Sequence, residues 1–169
     1  MAKIAVIIDD MFEDSEYTEP VKAFRDAGHE ITHIGFKQGA EVKGKKEDTP
    51  VTIDCPVSEA KSADFDALLI PGGYSPDHLR TDNSAVMFTK QFMDDNKPVF
   101  SICHGAQLLI SADVLRGKKA TGWKSIKVDL KNAGAEYQDK EVVEEGNLIT
   151  SRQPSDLPAF IKASLRKLS

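Results

Sequence analysis

Short apolar runs alternate with helical patterns along this chain, and that alternation restricts the fold more than any other feature. Three runs, over residues 4–8, 67–70 and 99–102, are largely apolar and end at polar or small residues. Apolar runs of this length are typical of parallel strands that are covered on both faces. Apolar positions at helical spacing follow them, and they predict helices over 15–27, 84–96, 107–112, 126–132 and 156–168. The sequence therefore predicts an α/β fold with a mainly parallel central sheet.

The remaining segments predict smaller elements and no boundary between domains. Residues 30–35 alternate like a strand, and short strands are expected at 142–143 and 148–149. The polar stretch 38–54 is interpreted as a hairpin with strands around Val42 and Val51, and 58–63 as one helical turn. The chain has no repeat and no linker, so we expect residues 1–169 to form a single domain with its own core.

Composition excludes several classes of protein. Apolar residues make up 40% and charged residues 29%, as in ordinary globular proteins, and the net charge is -5. An acidic chain is not expected to be a dedicated nucleic-acid binder, because phosphate contacts need a basic patch. Lys43, Lys45 and Lys46 cluster among acidic residues, which is typical of a solvated loop. No apolar stretch reaches the roughly 18–20 residues of a membrane span, and no signal peptide is evident. We expect a cytoplasmic protein whose two cysteines are thiols.

The carboxyl ends of parallel strands are where ligands bind, and this directs attention to the turns 9–14, 71–77 and 102–106. In the third turn, Ser101-Ile-Cys-His-Gly105 joins a strand to a helix through small residues. That arrangement predicts a nucleophile elbow carrying Cys103. Amide N–H groups at the helix start should stabilise a thiolate and lower the pKa of Cys103. The alternative is a buried structural thiol, which is how Cys55 is interpreted.

Four other residues are candidates for the same site. His104 is a candidate base, and its N–H together with that of Gly73 could form an oxyanion site. Gly73 could equally belong to an ordinary tight turn. Asp77 could orient a histidine or cap a helix. Glu13 follows the first strand, and its carboxyl could tune the Cys103 sulfur or carry protons.

Taken together, these segments resemble the PfpI family of intracellular cysteine peptidases. That family belongs to the class I glutamine-amidotransferase-like superfamily, which includes protein deglycases. The matching segments are, in chain order, Phe12-Glu-Asp14, Ala27-Gly-His-Glu30, Ile70-Pro-Gly-Gly73, Ser101-Ile-Cys-His-Gly105, Ser111-Ala-Asp-Val-Leu-Arg-Gly117, Asn132-Ala-Gly134 and Thr150-Ser-Arg152. Together and in this order they are specific, although each alone is weak.

The resemblance implies a flavodoxin-like three-layer sandwich in which Cys103 is the nucleophile and His104 its partner. Glu13 would hydrogen-bond the sulfur, and the N–H groups of Gly73 and His104 would bind the oxyanion. Asp77 would be the third member of the triad and reach His104 from a neighbouring subunit, although a glutamate is usual there. The protein would then be a homo-oligomer, a dimer or a hexamer. Neither a cofactor nor a metal site is expected.

Three functions stay open from the sequence. The first is a stress-related hydrolase, a peptidase, amidase or deglycase, that acts on a small carbonyl compound or a peptide through Cys103. The second is a glyoxalase that converts methylglyoxal-type aldehydes to hydroxy acids without glutathione. The third is a peroxide sensor or chaperone without turnover, in which Cys103 is oxidised stepwise.

Overall fold

The computed structural model describes residues 1–169 and has a seven-stranded sheet at its centre. The strands are β1 (Lys3–Ile7), β2 (Glu30–Gly35), β3 (Glu41–Lys43), β4 (Pro50–Thr52), β5 (Cys55–Pro56), β6 (Ala67–Ile70), β7 (Val99–Ile102), β8 (Lys119–Ala120), β9 (Glu136–Tyr137), β10 (Val143–Glu145) and β11 (Leu148–Ser151). The central sheet has the order β10-β11-β7-β6-β1-β2-β5, and only the edge strand β10 is antiparallel to its neighbour. The predicted mainly parallel sheet is thereby confirmed.

Six α-helices flank this sheet. They are α1 (Asp14–Asp26), α2 (Ser75–Leu79), α3 (Asn83–Asp94), α4 (Ala106–Ser111), α5 (Lys127–Asn132) and α6 (Leu157–Leu168). Five of them lie where apolar spacing predicts helices. The short helix α2 is additional, because Ser75-Pro-Asp shows too few apolar positions to reveal a period. None of the helices has the length and apolar character needed to cross a membrane.

Alternating strand residues divide the core into two layers. Ala5 and Ile7 of β1 point to one face and pack with residues of α3, α4 and α5. Ile4 and Val6 point to the other face and pack with residues of α1 and α6. Both faces of the central strands are fully buried, which explains why these strands are apolar throughout. The result is the expected three-layer α/β sandwich.

The predicted hairpin is present as the antiparallel pair β3 and β4, which lies over the face that carries α1. The helical turn expected at 58–63 is a 3₁₀ turn at Ser62–Asp64 instead. Two strand pairings were not predicted, namely β5 on β2 and β8 on β9. The strands β5, β8 and β9 have only two residues each, which is too short to show a period.

The connections of the sheet leave a crevice at its carboxyl edge. The chain passes from β1 to β2 on one side, and then returns to β6 on the other side of β1 and continues to β7. In open α/β sheets, a crevice forms where neighbouring connections diverge in this way. The turns that follow β1, β6 and β7 meet at this crevice.

Candidate active site

Cys103 occupies a strained turn between β7 and the short helix α4. Its φ is 61°, a left-handed conformation that is unfavourable for a residue with a Cβ. A 3₁₀ turn over Cys103–Gly105 follows and leads into α4 at Ala106. The sheet thus ends in the predicted nucleophile elbow, which holds a side chain that is 8% exposed at the carboxyl edge.

Two glycines make room for this elbow. A Cβ on Gly105 would lie 2.5 Å from the Ile70 carbonyl oxygen, so only glycine permits the turn to approach β6. A Cβ on Gly72 would lie 2.9 Å from the Cβ of Cys103. Real Cβ contacts are longer than this, so a larger residue at either position would displace the cysteine.

The carboxyl group that faces the Cys103 thiol belongs to Glu16, in the first turn of α1. Glu16 is fully buried, and the N–H of Gly72 donates a hydrogen bond of 2.9 Å to its Oε1. The other oxygen, Oε2, has no partner in the chain apart from the thiol. Burial, reinforced by the negative charge of Glu13, raises the pKa of Glu16 to about 8. Glu16 is therefore mainly a neutral acid at pH 7 and can donate a hydrogen bond to the sulfur.

The surroundings of Cys103 do not lower its pKa as the elbow pattern led us to expect. Burial raises the pKa of the Cys103 thiol, and the charge of an ionised Glu16 raises it further. The N–H of His104 and the ammonium of Lys45 act in the opposite direction and are weaker. The expectation was wrong mainly because the sulfur is buried and secondly because the carboxyl of Glu16 lies beside it, and a local pattern reveals neither. A thiolate here depends on Glu16 keeping its proton.

His104 lies beside the sulfur with its two ring nitrogens in different contacts. Nδ1 is 3.6 Å from the Sγ of Cys103, and Nε2 is 3.3 Å from the hydroxyl oxygen of Ser125. Burial, together with the charge of Lys45, lowers the pKa of the imidazole, so His104 is neutral at pH 7. A neutral imidazole has one donor and one acceptor nitrogen, and it can therefore relay a proton between the two contacts. Ser125 was not predicted, since nothing near it in the sequence marks a site.

Glu13 lies in the same cleft but binds two lysines instead of the sulfur. Its carboxyl contacts Lys45 at 2.9 Å and Lys46 at 2.6 Å. Burial alone would raise the pKa of Glu13, but the hydrogen bonds and charges of the two lysines outweigh it and hold the pKa below its usual value. The expected contact between Glu13 and the sulfur is thereby corrected: Glu16, three residues further along the same helix face, takes that position. The lysines are exposed, as expected of a solvated loop, but the contacts of Lys45 and Lys46 with Glu13 were not predicted.

Gly73, the predicted oxyanion donor, has a left-handed backbone conformation and an unused N–H. Its φ is 79°, and a Cβ would lie 2.5 Å from the backbone nitrogen of Glu13. The N–H of Gly73 donates to no carbonyl or side chain of the protein, whereas the neighbouring N–H of Gly72 is used by Glu16. The N–H of His104 points at the Cys103 sulfur. The N–H of Gly73 is thus free for a ligand, and its use together with the N–H of His104 as an oxyanion site stays a prediction.

Asp77 lies in α2 and is exposed. It forms no hydrogen bond with His104 within the chain, although its negative charge raises the pKa of that histidine. The structure of a single chain therefore brings Cys103 and His104 together and leaves Asp77 outside the residues that line the cleft. Whether Asp77 completes a triad from another subunit stays a prediction.

The candidate site is a small cleft of about 290 Å³. The lining combines a nucleophile, an imidazole, two carboxyls and two ammoniums, which belong to Cys103, His104, Glu13, Glu16, Lys45 and Lys46. Trp123 and Pro154 complete it. Chemically, this set can bind a carbonyl group, attack its carbon through sulfur and move protons at two points.

Comparisons with known proteins agree with this geometry. The profile of the DJ-1/PfpI family matches residues 2–167. General stress protein 18 of Bacillus subtilis is 59% identical over 167 residues, and protein/nucleic acid deglycase 2 of Escherichia coli is 58% identical over 167 residues. Each alignment covers 98% of this chain and 97% of the relative. A further Bacillus subtilis relative, 53% identical over 166 residues and covered at 98% on both sides, has the provisional name of a cysteine protease.

Solved structures show the same fold. A two-domain protein of Anabaena variabilis, with DJ-1/ThiJ/PfpI-like and ferritin-like domains, superposes with a TM-score of 0.97 at 41% identity. The match covers 99% of this chain and 48% of that protein. DJ-1 of Schizosaccharomyces pombe superposes with a TM-score of 0.87 at 28% identity, over 99% of this chain and 92% of its own.

Proposed function

Because the chain belongs to the DJ-1/PfpI family, we propose that the Cys103 sulfur attacks the carbonyl carbon of a small substrate. The family and the names of the relatives confirm the predicted stress-related cysteine enzyme and leave its reaction open. The observation that carries the proposal is the contact between the strained Cys103 and the buried, protonated carboxyl of Glu16. Within the chain only the N–H of Gly72 donates to this carboxyl, and no cation contacts it, so its burial costs stability.

The first step follows from the placement of the protons. The thiol proton of Cys103 passes to Nδ1 of the neutral His104, and the protonated Glu16 donates a hydrogen bond that stabilises the resulting thiolate. The thiolate attacks the carbonyl carbon, a carbon–sulfur bond forms, and the carbonyl oxygen becomes an oxyanion. The N–H groups of Gly73 and His104 then bind this oxyanion.

Two continuations are compatible with the site. In a hydrolase, the carbon–nitrogen bond breaks, His104 supplies a proton to the leaving amine, and water hydrolyses the resulting thioester. In a glyoxalase, a proton moves from the aldehyde carbon to the neighbouring carbon, and water releases a hydroxy acid from the same kind of thioester. The second course needs two proton carriers near the sulfur, and Glu16 and His104 provide them. The small cleft also favours a compact carbonyl substrate over an extended peptide.

One experiment separates these reactions. The protein and its Cys103→Ser variant are incubated with methylglyoxal and, separately, with peptide amides, and lactate and free amine are measured. Lactate formed only when Cys103 is present supports the glyoxalase, whereas amine release supports the hydrolase. A Cys55→Ser variant is the matched control, and it should behave like the original protein because Cys55 lies outside the cleft. Failure to form either product at Cys103 would exclude both reactions.

We also propose that the active protein is an oligomer in the cytoplasm, in which Asp77 acts on His104 of a neighbouring subunit. Exposed apolar side chains of Met11 and Tyr74 lie on the same surface as Asp77 and support a subunit contact there. The two free cysteines fit a reducing compartment. Asp77→Ala and Cys103→Ser variants should each be slow alone and recover activity when mixed, because each supplies what the other lacks. No recovery on mixing would leave Asp77 without a role in trans.

A further inference from the structure

Two ammonium groups lie at the mouth of the Cys103 cleft, and the reaction described above uses neither of them. They belong to Lys45 and Lys46, in the loop between β3 and β4. Lys45 is the more enclosed, with 28% of its side chain exposed against 64% for Lys46. Its Nζ lies 2.9 Å from the carboxylate of Glu13 and 5.4 Å from the centroid of the Tyr74 ring.

The loop that carries the lysines is fastened to the body of the protein. The buried carboxylate of Asp14 accepts hydrogen bonds from the N–H groups of Lys46, Glu47 and Thr49, at 2.9, 3.3 and 3.2 Å. The N–H of Lys45 donates to the Phe12 carbonyl at 2.9 Å. These contacts fix the backbone of the loop, and they thereby keep the two lysines beside the cleft.

The charge of Lys45 reaches all the reacting groups. It lowers the pKa values of Cys103, Glu16 and His104, which requires that its ammonium lie near each of them. Among the side chains that line the cleft, Lys45 and Lys46 face one ionised carboxylate, Glu13, at pH 7, which leaves an excess of one positive charge while Cys103 is a thiol. The ionised Asp14 acts on Lys46 from outside this lining. A substrate with one negative charge would neutralise that excess.

We propose that Lys45 is a specificity-determining residue that binds a carboxylate on the substrate, so that the cleft prefers small carbonyl compounds with an acidic group near the reacting carbon. This inference rests on the proposed attack by Cys103. The carboxylate would exchange with Glu13 as a partner of the ammonium and bring the electrophilic carbon to the sulfur. The excess charge would also offset the repulsion between the substrate's carboxylate and the thiolate.

Two alkylating reagents of nearly equal shape test this directly. Iodoacetate carries a carboxylate and iodoacetamide a neutral amide. In each case the thiolate attacks the CH₂ carbon and iodide leaves, so that the sulfur carries a carboxymethyl or a carbamoylmethyl group. The rate of Cys103 modification by each reagent is measured by mass spectrometry at pH 7 and low salt, in a Cys55→Ser background. The ratio of the two rates cancels any change in the thiolate fraction and reports only the preference for the carboxylate.

We expect Lys45→Met to lower the iodoacetate-to-iodoacetamide ratio about five- to tenfold, and Lys45→Arg to keep it within about twofold. Lys43→Met makes the same charge change on the same hairpin, outside the cleft, and should leave the ratio unchanged. Glu13→Gln should raise the ratio in the presence of Lys45, because the lysines lose their carboxylate partner. This variant decides the question if Lys45→Met does not fold.

Equal ratios in Lys45→Met and the original protein, or an equal loss in Lys43→Met, would overturn the inference. So would a ratio that Glu13→Gln leaves unchanged. Because alkylation needs no turnover, these results are independent of the proposed reaction. A lowered ratio in a protein that converts no carbonyl substrate would leave the anion site standing and remove the proposed function.

Discussion

Replacing Glu16 by glutamine should stabilise the protein at high pH, and the size of the effect follows from the pKa of the buried carboxyl. That pKa is raised from its ordinary value of 4.5 to about 8. The folded protein therefore binds a proton that the unfolded chain has released over most of this interval, and stability falls as the pH rises. Integrating between pH 5 and pH 8.5 gives a loss of roughly 4 kcal/mol for the original protein. Glutamine keeps the shape and the acceptor for the Gly72 N–H but does not titrate.

The assay is equilibrium unfolding in urea, followed by circular dichroism at half-unit steps from pH 5 to pH 8.5. The free energy of unfolding of Glu16→Gln minus that of the original protein should be small at pH 5 and grow by about 1 kcal/mol per pH unit. Glu19→Gln removes an exposed carboxyl on the same helix and is the control for the loss of a negative charge. A constant difference for Glu16→Gln would mean that Glu16 is ionised in the folded protein, and the proposed hydrogen bond to the sulfur would fail with it.

Four further predictions follow from particular contacts. Gly73→Ala should abolish turnover and destabilise the protein by several kcal/mol, because a Cβ there meets the Glu13 nitrogen at 2.5 Å. The control is Gly28→Ala, which has a φ of 89° but open space around it and should cost only about 1 kcal/mol. Both free energies are measured by urea unfolding. Asp14→Ala should lower stability by about 2–3 kcal/mol and speed proteolysis within residues 44–49, since three N–H groups lose their acceptor. A rate of cleavage in this loop equal to that of the original protein would contradict the prediction. Burial lowers the pKa of His33, so the unfolded chain takes up a proton at a higher pH than the folded protein does. The original protein should therefore lose stability as the pH falls below about 6.5. A His33→Gln variant should lose less over the same interval in parallel urea titrations. Low peroxide should add one or two oxygen atoms to Cys103 by mass spectrometry if the site also senses oxidants; an unmodified thiol would exclude the sensor.

The site joins groups with opposite energetic consequences. The ionised Glu13 has two ammonium partners and is stabilised by them, whereas Glu16, three residues later, is buried without a cation in contact. The difference in environment keeps one carboxyl charged and the other neutral at the same pH, which is how neighbouring acids acquire separate roles. The strained backbone at Cys103 and the neutral acid beside it both lower stability, as is common where residues serve chemistry.

Sequence alone was sufficient for the features that depend on neighbours along the chain. The strands Ala67–Ile70 and Val99–Ile102 were predicted with their observed bounds, since both faces of a central parallel strand are buried and leave a continuous apolar run. The elbow at Cys103 and the glycine turn before Tyr74 were recognisable because glycines at a strand end permit the positive φ and the close approach that such turns need.

Only the tertiary structure decided which charged groups surround the sulfur. Glu13 and Glu16 both follow the first strand, and the choice between them depends on how α1 is rotated against the Gly72 turn, 56 residues from Glu16. Lys45 and Lys46 enter the cleft because a buried carboxylate more than 30 residues away anchors their loop. Local patterns carry no information on such contacts, since burial and Coulomb energy are set by distances in space and not by separation along the chain.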